Sequence, residues 1–106
     1  MKRARRTQAG EIPMEVLERV SAALRVLSHP HRLKIVELLL AGEMPVGELA
    51  GRLGLAPNAV SQHLNMMKAH GLLTSRREGR TILYLADNPD ARNVINCIRK
   101  HHCASP

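Results

Sequence analysis

Aromatic side chains are nearly missing from this sequence of 106 residues, which has no Trp, no Phe and a single Tyr, Tyr84. Proteins that bind single-stranded nucleic acids stack the bases on several aromatic side chains. The scarcity of aromatic residues therefore argues against a single-strand binder. A nucleic-acid partner of this chain is expected to be a duplex.

Long apolar runs and catalytic patterns are missing as well. No apolar segment approaches the roughly 20 residues that a membrane helix needs. The basic residues near the start are not followed by an apolar stretch, so we expect no signal peptide, a cytoplasmic protein and no membrane partner. The sequence has no suggestive Ser/His/Asp spacing, no phosphate-binding Gly loop and no carboxylate pair in an apolar setting. It therefore does not predict an enzyme.

The positive charge of the chain is unevenly distributed. The net charge is +7 at pH 7, with +4 in residues 1–10, −2 in residues 11–51 and +4 in residues 52–80. With 44% hydrophobic and 24% charged residues, the composition is that of one small globular domain. Positive charge gathered in part of such a domain is typical of nucleic-acid binding. Together with the lack of aromatic residues, this distribution favours duplex DNA as the partner.

The centre of the chain contains two amphipathic segments on either side of Gly54. The first repeats apolar residues at the spacing of one helix face, and these residues are Val46, Leu49, Ala50 and Leu53. Gly54 ends that helix because glycine tolerates a positive φ, and Pro57 suits the first turn of the next one. The second stripe consists of Val60, Leu64 and Met67, and Gly71 closes the helix. This pattern predicts a helix-turn-helix, whose second helix enters a major groove.

Short polar side chains occupy the side of this second helix that lies opposite its apolar stripe. At about 100° per residue, Asn58, Gln62 and Asn65 point away from the stripe, and Ser61 lies on their flank. Such groups donate and accept hydrogen bonds, as the edges of the bases require. We predict that they read DNA, whereas the alternative is an ordinary solvated face.

His63 and Lys68 flank the predicted reading face. His63 lies nearer the apolar stripe, so packing or a hydrogen bond to backbone or phosphate is favoured over a base contact. Lys68 is predicted to contact phosphate, and a solvated position is its alternative. Both residues belong to the predicted DNA-binding set.

Two strand-like runs follow, namely residues 74–77 and residues 80–85, around a Glu78-Gly79 turn. This pattern predicts a β-hairpin. We place its basic residues at the tip of the hairpin, against the phosphate backbone, and they are Arg76, Arg77 and Arg80. A helix-turn-helix followed by a basic hairpin indicates a winged helix.

Three runs of the sequence resemble the ArsR/SmtB winged-helix repressors of bacteria: residues 27–33, residues 60–64 and residues 76–80. The resemblance extends over roughly residues 13–100 and implies a mostly α fold with a small β-hairpin. It also implies a homodimer formed by the helices at both ends, an inverted-repeat operator in duplex DNA, and repression until an inducer releases the protein.

The remaining segments are divided into a flexible basic tail over residues 1–11, a winged-helix and dimerisation domain over residues 12–103, and a C-terminal tail over residues 104–106. The first helix is expected to have Pro13 in its first turn. Its apolar stripe could face both its own domain and a second subunit, and it consists of Leu17, Val20, Leu24 and Leu27. The last helix begins at Asn88-Pro89 and has a stripe of Ala91, Val94, Ile95 and Ile98.

The second helix is expected to form the buried centre of the domain, with Ser28 as its N-cap and Pro30 in its first turn. His29 and His31 stand two positions apart, a spacing that points them to different sides of a helix. We therefore predict structural or solvent roles for both residues and no metal site.

Cysteine and histidine residues gather at the end of the last helix. Thiolate and imidazole ligands suit zinc, copper(I) or arsenite-like metalloids, and the candidate ligands are Cys97, His101 and Cys103. The alternative is two incidental thiols beside a solvated histidine pair. No cofactor is required for the fold.

The sequence departs from the family pattern at three places. Pro45, Val46 and Gly47 stand where metal-sensing relatives carry Cys-Val-Cys, so that thiolate site cannot form. Asp90 is followed by Arg92 and not by the family's Asp-x-His ligand. Ala56 replaces a usual Ser and cannot cap the helix that follows.

Three functions remain in competition after the sequence is read. The first is a dimeric repressor that a metal, a metalloid or a thiol oxidant releases from a palindromic operator. The second is a repressor with no small-molecule site, regulated by its expression level. The third is a winged-helix protein-interaction module without DNA binding, because a fold does not fix a function.

Overall fold

The computed structural model of this chain describes residues 10–102, which fold into five helices and one β-hairpin. The helices are α1 (Met14–Leu27), α2 (Pro30–Ala41), α3 (Val46–Leu53), α4 (Pro57–Ala69) and α5 (Pro89–His102). The strands β1 (Thr74–Glu78) and β2 (Thr81–Leu85) form an antiparallel pair between α4 and α5. The predicted mostly α fold with a small hairpin is confirmed. None of the described helices is both long and apolar enough to cross a membrane.

The hydrophobic core lies around α2 and α4. Ile35 and Val36 of α2 are fully buried, as are the three residues of the predicted α4 stripe, Val60, Leu64 and Met67. Leu49 of α3 and Ile95 of α5 join the same cluster. The expectation that α2 forms the buried centre of the domain is therefore confirmed.

The start of α2 differs from the prediction. Ser28 was expected to be its N-cap, but His29 occupies that position, and its Nδ1 accepts a hydrogen bond from the backbone N–H of His31 at 3.2 Å. The reason is that Pro30 stands at the first helical position, which leaves the residue before it to cap the helix. Pro13 was likewise expected within α1, but it is the N-cap of that helix.

The apolar stripe of α1 is divided between two faces. Ala23, Val26 and Leu27 are buried in the core, whereas Leu17 and Leu24 are 43% and 45% exposed. As the predicted stripe allowed, the helix presents one apolar face to its own domain and leaves a second apolar face open.

The wing is fixed to the body of the domain through β2. Met44, in the loop before α3, and Tyr84 exchange two backbone hydrogen bonds, from Met44 N to Tyr84 O at 3.3 Å and from Tyr84 N to Met44 O at 2.9 Å. In the hairpin, Glu78 pairs with Thr81, so Gly79 and Arg80 form a two-residue turn. Gly79 has a φ of 65°, as the first position of a type II′ turn requires.

Candidate nucleic-acid interface

Glycines in the left-handed region end both helices of the helix-turn-helix, α3 and α4. Gly54 has a φ of 69°, and the N–H of Leu55 bonds back to Ala50 O at 3.1 Å, which closes α3 before the turn. At the end of α4, Gly71 has a φ of 74° and donates to Lys68 O at 2.9 Å, while Leu72 N donates to Met67 O at 2.9 Å. This pair of bonds is a Schellman motif. The predicted helix-turn-helix is therefore confirmed.

The predicted reading face of α4 is open to solvent. Asn58, Gln62 and Asn65 are exposed, and Ser61 is half-buried. Within residues 10–102, the α4 side chains that form hydrogen bonds are His63 and Lys68, so the three amides are available to another partner. Ala56 is the N-cap and makes no side-chain capping bond, as expected from its methyl group.

Lys68 connects the end of α4 to the wing. Its Nζ donates a hydrogen bond of 2.7 Å to Oγ of Ser75 on β1. An ammonium group has three N–H donors, so two of them remain when this bond is made. Lys68 is thus held at the junction of α4 and the wing with donors to spare.

The wing arginines divide into a held residue and two open ones. Arg76 lies in the middle of β1 and not at the tip, and its Nε and Nη2 donate to Oε1 of Glu43 at 3.0 and 2.6 Å. These bonds raise the pKa of Arg76 above its ordinary value, with a smaller contribution from Glu78. Across residues 10–102, Arg77 and Arg80 form no ion pair, and both are exposed. The prediction that Arg76 sits at the tip is wrong.

His63 faces the inside of the domain. Its Nδ1 accepts a hydrogen bond of 3.2 Å from Nε of Arg32, whose Nη1 also donates to Val26 O. Burial is the main cause that lowers the pKa of His63 below its ordinary 6.5, and the charges of His29, Arg32 and His31 lower it further. The side chain is half-buried, which agrees with the expectation of packing over base contact.

His29, His31 and His63 come together at the junction of α2 and α4. One ligand atom from each of them lies within 4.8 Å of the other two. The prediction that His29 and His31 point to different sides of a helix is wrong, because His29 lies at the N-cap, outside the helical turn. Sequence reasoning could have found this: Pro30 at the first helical position already places His29 before the helix.

The predicted C-terminal metal ligands are only partly described. Cys97 and His101 are exposed on α5, four residues apart. Cys103 lies outside the described residues, as do residues 104–106 and nearly all of the predicted tail over residues 1–11. The ligand set of Cys97, His101 and Cys103 therefore stays a prediction.

A family model described as a helix-turn-helix domain matches residues 27–76. The chain is also similar to the transcriptional activator HlyU of Vibrio cholerae, with 34% identity over 80 residues that cover 76% of this chain and 74% of HlyU. The structure of reduced HlyU covers 86% of this chain and 97% of its own, with a TM-score of 0.77 at 32% identity.

Two further relatives are mycobacterial. The transcriptional repressor SmtB of Mycobacterium tuberculosis is 39% identical over 87 residues, which cover 81% of this chain and 64% of SmtB. The homodimeric winged helix-turn-helix DNA-binding domain of a possible ArsR-family regulator from Mycobacterium bovis has a TM-score of 0.70 at 26% identity, and the match covers 92% of this chain and 99% of that one. These relatives are regulators and not enzymes, and the chain belongs to the ArsR/SmtB family of winged-helix DNA-binding transcriptional regulators.

Proposed function

We propose that this regulator is a cytoplasmic homodimer that represses transcription by binding a palindromic operator. The observation that supports the proposal most is the arrangement of α4. Asn58, Gln62 and Asn65 are exposed and available on its outer face, while the opposite stripe is fully buried. Because its buried stripe packs in the core, α4 is already folded before it enters a major groove, and its amides need no folding step to bind DNA.

The charged side chains supply the contacts with the DNA backbone. Phosphate oxygens accept hydrogen bonds from the N–H groups of Arg77 and Arg80 on the wing and of Lys68 at its base. Such contacts fix the register of a protein on the duplex. His63 and Arg76 were part of the predicted DNA-binding set. We now give them positioning roles, because Arg32 holds the first and Glu43 holds the second.

The dimer interface is proposed on the open apolar face of α1 and the neighbouring part of α5. Met14, Leu17 and Leu24 lie on one side of α1 with exposed fractions of 65%, 43% and 45%, and Ile98 of α5 is also exposed. Arg19 of α1 forms a two-pronged ion pair with an aspartate of α5 at 2.9 and 3.3 Å, which holds the two helices side by side. The homodimeric state of the Mycobacterium bovis relative supports a dimer of this chain.

A change of oligomeric state tests this interface. Leu24→Lys places a charge in the middle of the proposed contact, so sedimentation is expected to show a monomer where the parent chain is a dimer. Ile82→Lys is the matched control, because Ile82 is a comparably exposed apolar residue on the wing. A dimer that survives Leu24→Lys, or that Ile82→Lys also dissociates, contradicts the assignment.

The operator is tested by selection from a pool of random DNA duplexes. Two-fold symmetry predicts an inverted repeat whose half-sites are separated by about one helical turn, roughly 34–36 Å, or by a multiple of it. Enrichment of a single unrepeated motif would contradict the palindrome, and a pool without enrichment would contradict sequence reading by α4. Two chains bound per enriched duplex are expected.

Release by a thiol-directed signal forms the last part of this proposal, and it rests on Cys97, His101 and Cys103. The probes are zinc, copper(I), arsenite and peroxide, each titrated into the reduced protein on its selected duplex. Release from the parent chain but not from a Cys97→Ser, Cys103→Ser variant is expected. Binding that none of the four agents changes would make the thiols incidental.

A further inference from the structure

The histidine cluster at the junction of α2 and α4 has the geometry of a ligand set. Its imidazoles come from two separate segments, with His29 and His31 at the start of α2 and His63 in the middle of α4. The ring centroids lie 4.7 to 6.0 Å apart with interplanar angles of 38° to 58°. The rings are thus tilted toward one another and not stacked in parallel.

The separation of the ring nitrogens is close to what a metal ion requires. Bonds of about 2.0–2.1 Å in a tetrahedral site place two nitrogen ligands roughly 3.3 Å apart. The three ligand atoms already lie within 4.8 Å of one another. The three side chains are only half-buried, so their rings have room to rotate and shorten these distances.

We propose that His29, His31 and His63 form a transition-metal site that joins the N-terminus of α2 to the DNA-reading helix α4. The donors are three imidazole nitrogens with no carboxylate among them, a set that suits Zn²⁺, Ni²⁺ or Cu²⁺ and not Mg²⁺ or Ca²⁺. Three protein ligands leave a fourth position for water. The site is separate from the thiol cluster at the end of α5, and metal binding to it does not depend on DNA binding.

Two hydrogen bonds must be given up when the metal binds. Nδ1 of His29 accepts from His31 N, and Nδ1 of His63 accepts from Arg32 Nε, so the single ring proton of each imidazole sits on Nε2. If the metal binds Nε2, the ring proton moves to Nδ1, which then no longer accepts a hydrogen bond. If the metal binds Nδ1, it displaces the N–H group that donates to that nitrogen. In either case Arg32 leaves His63, and the metal replaces it as the connection between α2 and α4.

The positive charge around the cluster restricts the site to metal ions that bind imidazole strongly. Arg32 and the positive end of the α2 dipole both oppose a cation at this position. The site therefore favours the ions that bind nitrogen ligands most tightly, with Cu²⁺ above Ni²⁺ and Zn²⁺ in the general order. Removal of the Arg32 charge is expected to increase the affinity for any of them.

Titration of the tag-free full chain with Co²⁺, followed by competition with Zn²⁺, tests the proposal without DNA. One ion per chain is expected at the three histidines, with visible d–d absorption bands, and any thiolate-to-cobalt charge-transfer band belongs to the separate thiol cluster. His29→Asn removes an imidazole but keeps a good N-cap, and His63→Gln removes another. Each is expected to lower the affinity by at least about tenfold, because even outer-sphere partners of a ligand contribute roughly 10–100-fold.

Three comparisons complete the experiment. His70→Gln, an exposed histidine just after α4, and the Cys97→Ser, Cys103→Ser variant are expected to keep the d–d bands of the histidine site at the affinity of the parent chain, whereas Arg32→Gln is expected to bind Co²⁺ more tightly. In parallel, Zn²⁺ should raise the Tm of the parent chain more than that of His29→Asn. Absence of binding, or binding that is lost with the thiols and retained in His29→Asn and His63→Gln, overturns the proposal.

Discussion

Arg76 and Arg77 are neighbours of the same type, but the structure gives them different tasks. Arg76 is held by two hydrogen bonds to Glu43 and a further contact with Glu78, whereas Arg77 has no ion-pair partner within residues 10–102. An arginine that already neutralises carboxylates releases few additional counterions when DNA binds. We therefore expect Arg77→Ala to change the salt dependence of DNA binding and Arg76→Ala to leave it almost unchanged.

The size of this difference follows from counterion release. Each neutralised phosphate contributes about −0.9 to the slope of log K against log salt, so a dimer that contacts about eight phosphates has a slope of about −7. Arg77→Ala removes one contact from each of two chains, and the slope is expected to become about −5. The assay is fluorescence anisotropy on one duplex at a series of salt concentrations.

Arg76→Ala is the matched control for this experiment, because it removes the same side chain from the adjacent position of the strand. Equal changes of slope for the two variants would contradict the division into a held and an open arginine. A slope that neither variant changes would show that Arg77 does not contact phosphate. Circular dichroism of each variant checks that the hairpin and the helices are retained.

Three further predictions concern stability, measured by denaturant unfolding. Gly51→Ala in the exposed interior of α3 is expected to stabilise the fold by roughly 0.5–1 kcal/mol. Gly71→Ala, at a φ of 74°, should destabilise it by roughly 1–2 kcal/mol. If both substitutions changed the free energy of unfolding in the same direction, the left-handed conformation assigned to Gly71 would be contradicted. Ala56→Ser supplies the missing cap of α4 and should add about 1 kcal/mol, and no gain would show that the hydroxyl does not reach the helix N–H groups. With a chelator present, the lowered pKa of His63 means that the folded chain binds fewer protons than the unfolded chain, so stability should fall as the pH drops below the ordinary 6.5. His63→Gln should flatten that pH dependence, and an unchanged profile would assign it to another group.

The sequence was sufficient where local rules determine the structure. The α4 stripe through Val60, Leu64 and Met67 follows from helical spacing, and the C-terminal ends of α3 and α4 follow from glycine, so these features were predicted correctly. The hairpin itself was also predicted from local rules, but its turn was placed one residue too early, at Glu78-Gly79, whereas Glu78 pairs with Thr81 and the turn is Gly79-Arg80.

Contacts between distant parts of the chain were not predictable in the same way. Arg76 and Glu43 are 33 residues apart in sequence, and no periodicity relates them, so the ion pair that holds Arg76 appears only in three dimensions. His63 reaches the two histidines of α2 for the same reason. The division of α1 into a core face and an open face also depends on where α2 and α5 pack.

Gln62→Ala tests the claim that the outer face of α4 reads base sequence, because it removes one of the three exposed amides of that face. Its affinity is measured on the selected duplex and on a scrambled one, with Asn93→Ala, an exposed amide on α5, as the control. We expect Gln62→Ala to weaken binding to the selected duplex by roughly 1–3 kcal/mol and to leave binding to the scrambled duplex unchanged. An equal loss on both duplexes, or no loss on either, would contradict the claim.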